Sequence, residues 1–419
     1  PKKNILNTTK LNKMAAIRTT AKATQRGSAG LGLPEALSSK TVGIIKNTAP
    51  VVAPRAVDIT RNFYGRLFTK HPELFAFFNK SNQNAGRQPR ALAQSIVAYA
   101  THIDNLGALV GPHSAVDIIA HKHCGLNVLP EQYPIVHSNL MDAIGEVLEG
   151  AVTPEIGTAW SESVLFLAKV LIDREEELYS EAENKSGGWR GFKPFKVVSI
   201  DDVASDKKQF TFSDASDASY AFDAGQFLSL KVDPNGDGLV APRHYTITST
   251  PNANQLQCTV KLVEGGVVST YLHNEVKVGD ELNLCPPFGC FTPRENDAPV
   301  VLLSSGIGIT PMVNFYRHFG DRVGLIVHLD RDKASHAHKS FFNAASCPKQ
   351  FIYTSEGRPA ASTIAARMKD TLGDKWNSAN VYMCGPVSFM ADMTKEFGEA
   401  VKGRIYSEKF GPELDNEGV

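Results

Sequence analysis

The sequence predicts a multidomain protein in which an all-α domain is followed by a small antiparallel β-barrel and a doubly wound α/β domain. Three observations carry this. At 419 residues the chain is longer than a single small core serves. The period of its apolar residues changes twice, from helical to alternating and then to unbroken runs. The first change follows the Gly-rich stretch "NKSGGWRGFKPF" and the second falls at Pro299. The expected divisions are a basic leader at 1–38, a helical domain at 39–183, a barrel at 184–298 and an α/β domain at 299–419.

The leader carries seven Lys or Arg before Glu35, the first acidic residue. Such a composition suits a mitochondrial presequence, and "MAAIRTTAKATQR" offers an alternative beginning at Met14. The chain is therefore expected in the cytoplasm, or in the mitochondrial matrix if the leader is a targeting signal. Lys plus Arg and Asp plus Glu both total 44, which argues against a nucleic-acid surface. Six cysteines without a C-x-x-C pair indicate neither a disulfide framework nor a thiolate zinc site. No apolar run approaches the roughly 18 residues that a spanning helix needs.

In the helical domain, "RNFYGRLFTKHPELFAFF" sets Ile59, Phe63 and Leu67 along one face with Tyr64 and Phe68 beside them, and Pro72 opens a second short helix. "QPRALAQSIVAYATHI" repeats the step through Gln88, Leu92, Ile96 and Tyr99. The barrel is read from "QFLSLKV", "RHYTITST", "LQCTVKLV" and "ELNLCPPFG", whose period is two. "PVVLLSS", "VGLIVHL" and "NVYMCGP" read as buried parallel strands separated by helices.

The stretch "IIAHKHCGLNVLPEQY" places two histidines on one helix. His123 falls on the apolar stripe with Ile119 and Val116, and His121 falls with Asp117 on the side expected to be wet. The imidazoles diverge, so they cannot share a zinc ion. One neutral imidazole in an apolar helical pocket suits haem iron, provided an acceptor fixes its other nitrogen. Tyr64 and Gln88 on apolar faces, the pair Phe77 and Phe78, and Glu175 in "LIDREEELY" are candidates for the further groups such a pocket requires; taken singly, Tyr64 and the Phe pair read as core packing and Glu175 as part of a solvated charge run.

"NFYGRLF", "HPELFAFFN", "SNQNAGRQPRAL", "KHCGLNVLPEQY" and "REEELY" together resemble the flavohaemoglobin family. The resemblance implies a globin followed by a ferredoxin-reductase-like module, with FAD on the antiparallel barrel and NADH or NADPH on the α/β domain. It implies haem b with His123 as the proximal iron ligand, Tyr133 and Glu175 hydrogen-bonding around it, Tyr64 as distal donor, and Gln88 and Leu92 lining the distal side. An anionic partner such as Glu175 makes the imidazole a stronger donor.

"PRHYTITST" is read as presenting Arg243, Tyr245 and Thr246 on one strand face, with His244 between them; an arginine clamps phosphate and an aromatic ring stacks on a flavin. The resemblance makes this the flavin motif, with Thr246 where Ser is usual and Phe227 where Tyr is usual. Gly265, Gly266 and Ser269 of "EGGVVSTYLH" suit the pyrophosphate. "LLSSGIGITPM", with Gly306, Ile307, Gly308, Ile309, Thr310 and Pro311, follows a strand and opens a helix, where phosphate is received. Cys384, Gly385 and Pro386 complete the resemblance to nicotinamide domains, and "SEKFGP" supplies Glu408, Lys409, Phe410, Gly411 and Pro412 beside the flavin. Lys122 is either a dock for the reductase or a solvated lysine. Asp330 and Arg331 leave NADH against NADPH open.

The implied activity is nitric oxide dioxygenation: nitric oxide and O2 become nitrate at the expense of NAD(P)H, through FAD and haem, in a chain expected to be monomeric. Two other readings of the same modules are a haem-based O2 or nitric oxide sensor with an attached reductase, and a flavin reductase for an external acceptor.

Overall fold

The computed structural model describes residues 27–28, 30–216, 218–398, 401 and 403–411; most of the leader and Pro412 lie outside them. Among the described residues, seven α-helices come first: α1 (Ser39–Val52), α2 (Ala56–Lys70), α3 (Lys80–Asn84), α4 (Arg87–Thr101), α5 (Ala115–Leu126), α6 (Tyr133–Leu148) and α7 (Pro154–Asn184). Their ends follow from side-chain chemistry. Ser38 caps α1 by accepting the Thr41 N–H, Ser114 caps α5 through the Asp117 N–H, and Asn127 closes α5 in the left-handed region at φ 58°. Pro72 opens the expected short helix, which is of the 3₁₀ type over Pro72–Phe77. Ile45, Ile59, Phe63, Leu67, Leu140 and Trp160 form the core of this part.

The second part is a six-stranded antiparallel sheet of β1 (Lys193–Ala204), β2 (Lys207–Ser213), β3 (Phe227–Lys231), β4 (Arg243–Thr246), β5 (Leu256–Lys261) and β6 (Glu281–Leu284), in the order β4-β3-β6-β1-β2-β5. A bridge between Ile247 and Cys258 joins the two edges, and the sheet closes into a barrel without a free edge. Helix α8 (Val267–Asn274) follows β5. Phe195, Phe210, Phe212, Leu228 and Leu230 fill the interior.

The third part alternates β7 (Val300–Ser305), α9 (Ile309–Phe319), β8 (Val323–Asp330), α10 (Lys339–Asn343), β9 (Lys349–Tyr353), α11 (Ala361–Leu372), β10 (Asn380–Cys384), α12 (Val387–Phe397) and β11 (Ile405–Glu408). All five strands are parallel in the order β11-β10-β7-β8-β9. Apolar clusters cover both sheet faces, which explains the unbroken apolar runs. The chain leaves β7 toward β8 on one side and returns to β10 on the other, so the carboxyl ends of β7 and β10 form the switch point at which such sheets bind ligands.

Candidate functional site

Helix α5 presents His123 beside α6 and α7. The imidazole Nδ1 lies 2.7 Å from Glu175 Oε1 and 3.1 Å from the Tyr133 hydroxyl, which itself donates to Glu175 at 2.5 Å. Glu175 is buried, with 2% of its surface exposed. Burial and the Glu175 charge hold the Tyr133 phenol well above its usual range, so it remains an O–H donor. The arrangement commits Nδ1 to the proton and leaves Nε2 a lone-pair donor. Among the described residues, Nε2 takes no partner.

Tyr64 on α2 is buried, and its hydroxyl has Gln88 within hydrogen-bonding reach. Burial pushes the phenol up, so it too is protonated. The amide nitrogen of Gln83 is buried without a partner. Gln83 was not singled out from the sequence, although it sits inside "SNQNAGRQPRAL"; a glutamine among polar neighbours on a short helix gives no periodic signal. Phe77, Phe78, Leu92, Ile96 and Val136 pack on the helical core yet stay half-exposed. A free imidazole lone pair, an orphaned amide donor and half-covered aromatics fit a large flat apolar group with one axial bond to the protein.

The expectation for His121 is corrected. His121 and Asp117 are buried, 8% and 4% exposed, because the side of α5 opposite His123 is covered by the barrel. His121 Nδ1 accepts the Gly289 N–H at 3.0 Å, and His113 Nδ1 lies 2.7 Å from the Cys290 carbonyl. Asp117 is gripped by Arg174 Nε at 2.9 Å and by the His113 N–H at 2.8 Å. Gly125 lets the helix approach closely, since a Cβ there would stand 2.7 Å from His244 and 2.8 Å from Phe227. Lys122 donates to the Gly411 carbonyl at 3.0 Å, so it is a contact to the C-terminal segment.

On the barrel, Arg243 and Tyr245 share a face of β4, but Thr246 does not. The register pairs Arg243, Tyr245 and Thr246 with Leu230, Leu228 and Phe227, and period-two alternation sends Thr246, which is buried, to the opposite face. Arg243 is half-buried, donates only to the Ala241 and Pro242 carbonyls at 2.6 and 3.2 Å, and pairs with no carboxylate among the described residues. Burial lowers its pKa. A desolvated guanidinium without a counter-ion fits a phosphate. Gly265 has φ +70°, and a Cβ on Gly266 would meet Ser269 Oγ at 2.6 Å. The first amides of α8 carry no side-chain cap, which leaves them for a second anionic group.

At the switch point, Gly306 has φ +56°, Gly306–Gly308 forms a 3₁₀ turn through Ile307, and α9 begins at Ile309 with Thr310 Oγ1 bonded to the Ile307 carbonyl at 3.0 Å and Pro311 in its first turn. A Cβ on Gly308 would lie 2.2 Å from the Cys384 carbonyl, and one on Gly385 3.1 Å from Ser305. The two strand ends therefore meet backbone to backbone, with Pro386 capping α12. Glu408 ends β11 opposite Cys384 and lies near enough to Cys290 to raise its thiol pKa, after burial itself. Lys409 and Gly411 follow, Phe410 is 52% exposed, and Pro412 falls outside the described residues. The parallel sheet is tied to the barrel by Asn314, which donates to the Ile247 and Ser249 carbonyls at 2.9 and 3.0 Å.

No helix among the described residues is long and apolar enough to cross a membrane. A globin model matches residues 61–171 and an oxidoreductase FAD-binding domain model matches 194–292. The chain is 36% identical over 404 residues to a flavohemoprotein of Rhizobium meliloti (strain 1021), covering 90% of this chain and 99% of that one. It is 36% identical over 400 residues to flavohemoprotein A of Dictyostelium discoideum, covering 90% and 98%. The crystal structure of a flavohemoglobin from Malassezia yamatoensis with bound FAD and heme matches with a TM-score of 0.76 at 30% identity, covering 90% of this chain and all of that one. The pocket around His123, the barrel with its unpaired arginine and the glycine-lined strand ends thus occur in one order along one chain, and the chain belongs to the flavohemoprotein family.

Proposed function

We propose that the protein is a nitric oxide dioxygenase, converting nitric oxide and O2 to nitrate with NAD(P)H, FAD and haem b. One observation carries the reading: the helix whose His123 is fixed by Glu175 is also seated on the barrel through His121 and on the C-terminal segment through Lys122. A storage globin has no need of that second seat. When bound, the three groups supply hydride acceptance, one-electron transfer and dioxygen chemistry.

The side chains supply the rest. His123 Nε2 would hold the haem iron, and Glu175, 2.7 Å from Nδ1, would make the imidazole a stronger donor. Tyr64, with Gln88 beside its hydroxyl, would offer its O–H to the chemistry on that side, and the apolar wall of Phe77, Phe78 and Leu92 would exclude water. Arg243 with Gly265, Gly266 and Ser269 takes the FAD pyrophosphate; Tyr245 stacks on its ring system, with His244 and Thr246 on the same strand and Phe227 paired with Thr246 on the other face. Gly306, Ile307, Gly308, Ile309, Thr310 and Pro311 receive the nicotinamide nucleotide opposite Cys384, Gly385 and Pro386, and the segment from Glu408 to Pro412 covers the flavin. Functional divisions at 39–183, 184–298 and 299–419 follow from these assignments.

All three sites lie in one chain, so the protein works as a monomer. The described cysteines are all free, which suits a reducing compartment, the cytoplasm or the mitochondrial matrix. The decisive experiment is stopped-flow loss of nitric oxide by the loaded protein with NADH or NADPH and oxygen. One nitrate per nitric oxide supports the reading; loaded protein that leaves nitric oxide untouched overturns it in favour of sensing or reduction of another acceptor.

A further inference from the structure

We propose that the α/β domain selects the 2′-phosphorylated dinucleotide, NADPH, with Arg331 as the residue that meets the 2′-phosphate. The inference rests on the reading of this domain as the nicotinamide site and goes beyond it. In dinucleotide folds, an acid at the end of the second strand binds the ribose hydroxyls of the unphosphorylated cofactor, whereas a cation there accommodates a 2′-phosphate. Asp330 ends β8 and is the acid in that place.

Asp330 is not available to a ribose. It is 8% exposed. Its Oδ1 accepts the Arg331 N–H at 2.8 Å, and its Oδ2 stands 3.4 Å from Lys207 Nζ and 3.5 Å from His328 Nε2. Lys207 comes from the barrel, at the start of β2, and its side chain is fully buried. Its ammonium also holds Asp206 Oδ1 at 2.7 Å and the Ser335 carbonyl. Turning Asp330 outward would strip a buried ammonium of a counter-ion, which is strongly unfavourable. The next acid is also committed: Asp332 Oδ1 accepts the Ser335 N–H at 2.8 Å and its hydroxyl at 2.6 Å, and Oδ2 accepts from Arg331 Nε at 3.1 Å.

The Arg331 side chain is 62% exposed, and its two terminal nitrogens take no partner among the described residues. Lys333 and Lys339 lie 5.7 and 5.6 Å from the ring of Tyr353, at the end of the neighbouring strand β9. The pairing of Lys333 with Glu356 at 3.0 Å is between two exposed groups and yields readily. A guanidinium with free terminal nitrogens, and Lys333 two residues along the chain, matches a phosphate dianion better than an uncharged ribose hydroxyl.

Titration calorimetry of the FAD-loaded protein with 2′,5′-ADP and with 5′-ADP tests this without turnover. The 2′-phosphorylated probe is expected to bind about 10–100-fold more tightly, the worth of one charge-assisted contact. Arg331→Gln, an exposed change that leaves the fold intact, should remove most of that advantage and leave 5′-ADP affinity unchanged. Anaerobic flavin reduction should show the same preference for NADPH over NADH. Equal affinity for the two probes, or an advantage that survives in Arg331→Gln, overturns the inference while the nicotinamide reading stands. Binding of neither probe, with no flavin reduction by either dinucleotide, overturns both.

Discussion

His121 and Gly289 join two domains through one hydrogen bond: the imidazole Nδ1 accepts the buried N–H at 3.0 Å, two residues before the histidine that Glu175 holds. The acceptor stands on the helix that carries His123 and the donor on the turn that closes the barrel. His121→Leu strands the Gly289 N–H and loosens this seat. Anaerobic stopped-flow should show flavin reduction by the dinucleotide unchanged and subsequent haem reduction slower by about 10–100-fold, the scale that small misplacements command. Equal loss in both phases would mean a general folding defect.

Tyr64→Phe removes a buried phenol while keeping its ring contacts with Phe63, Phe68 and Phe78. One lost hydrogen bond is worth about 1–2 kcal/mol, so oxygen should leave the ferrous protein about 5–30-fold faster. Flash photolysis reads this directly; an unchanged rate would reject Tyr64 as the distal donor.

Glu175→Gln keeps the shape of the contact to His123 but removes its charge. Neighbours of a metal ligand typically command about 10–100-fold in affinity or activity, so nitric oxide turnover should fall by that amount and the haem reduction potential should rise. A potential equal to the parent's in spectroelectrochemical titration would show that the carboxylate only props the ring.

Gly308→Ala forces a Cβ to 2.2 Å from the Cys384 carbonyl. The strand ends must part, at about 1–3 kcal/mol. Dinucleotide affinity should drop while haem spectra and oxygen binding stay as in the parent protein; a variant with unaltered affinity would place the nicotinamide cleft elsewhere.

Acid should weaken the reductase half. His336 is buried, and burial together with the nearby His328 lowers its pKa to about 3; burial lowers that of His328 as well. In the unfolded chain these imidazoles take up protons near pH 6.5. The unfolded state therefore binds more protons below that pH, and stability falls with decreasing pH at up to about 1.4 kcal/mol per unit and group until the folded values are reached. Thermal unfolding followed by flavin fluorescence should show a lower midpoint at pH 5 than at pH 7.5, with His336→Phe flattening the difference. A midpoint independent of pH would contradict the neutral buried pair.

What could be read in advance follows the range of the interactions. His123, Tyr133 and Glu175 were legible because a helical repeat and a short motif place each on its own element, and packing of α5 against α6 and α7 brings them together. The side of α5 bearing His121 was misread because a helical wheel treats every polar face as solvated; only the docked barrel reveals that Asp117 and His121 are interior. Thr246 and Tyr245 lie on opposite faces of β4, a separation that strict alternation along the strand already dictates. Lys207 could not be found at all, since a lysine at a strand start signals a solvated edge until a second domain closes over it.

The glycine at position 125 gives the molecule a further property. Because the side chains of His244 and Phe227 press directly on the helix there, the oxygen-binding half is not an exchangeable cassette. A foreign globin spliced onto this reductase would need a hydrogen at that spot and an imidazole one turn earlier. Chimaeras that respect only the linker would carry both pigments and pass current between them poorly.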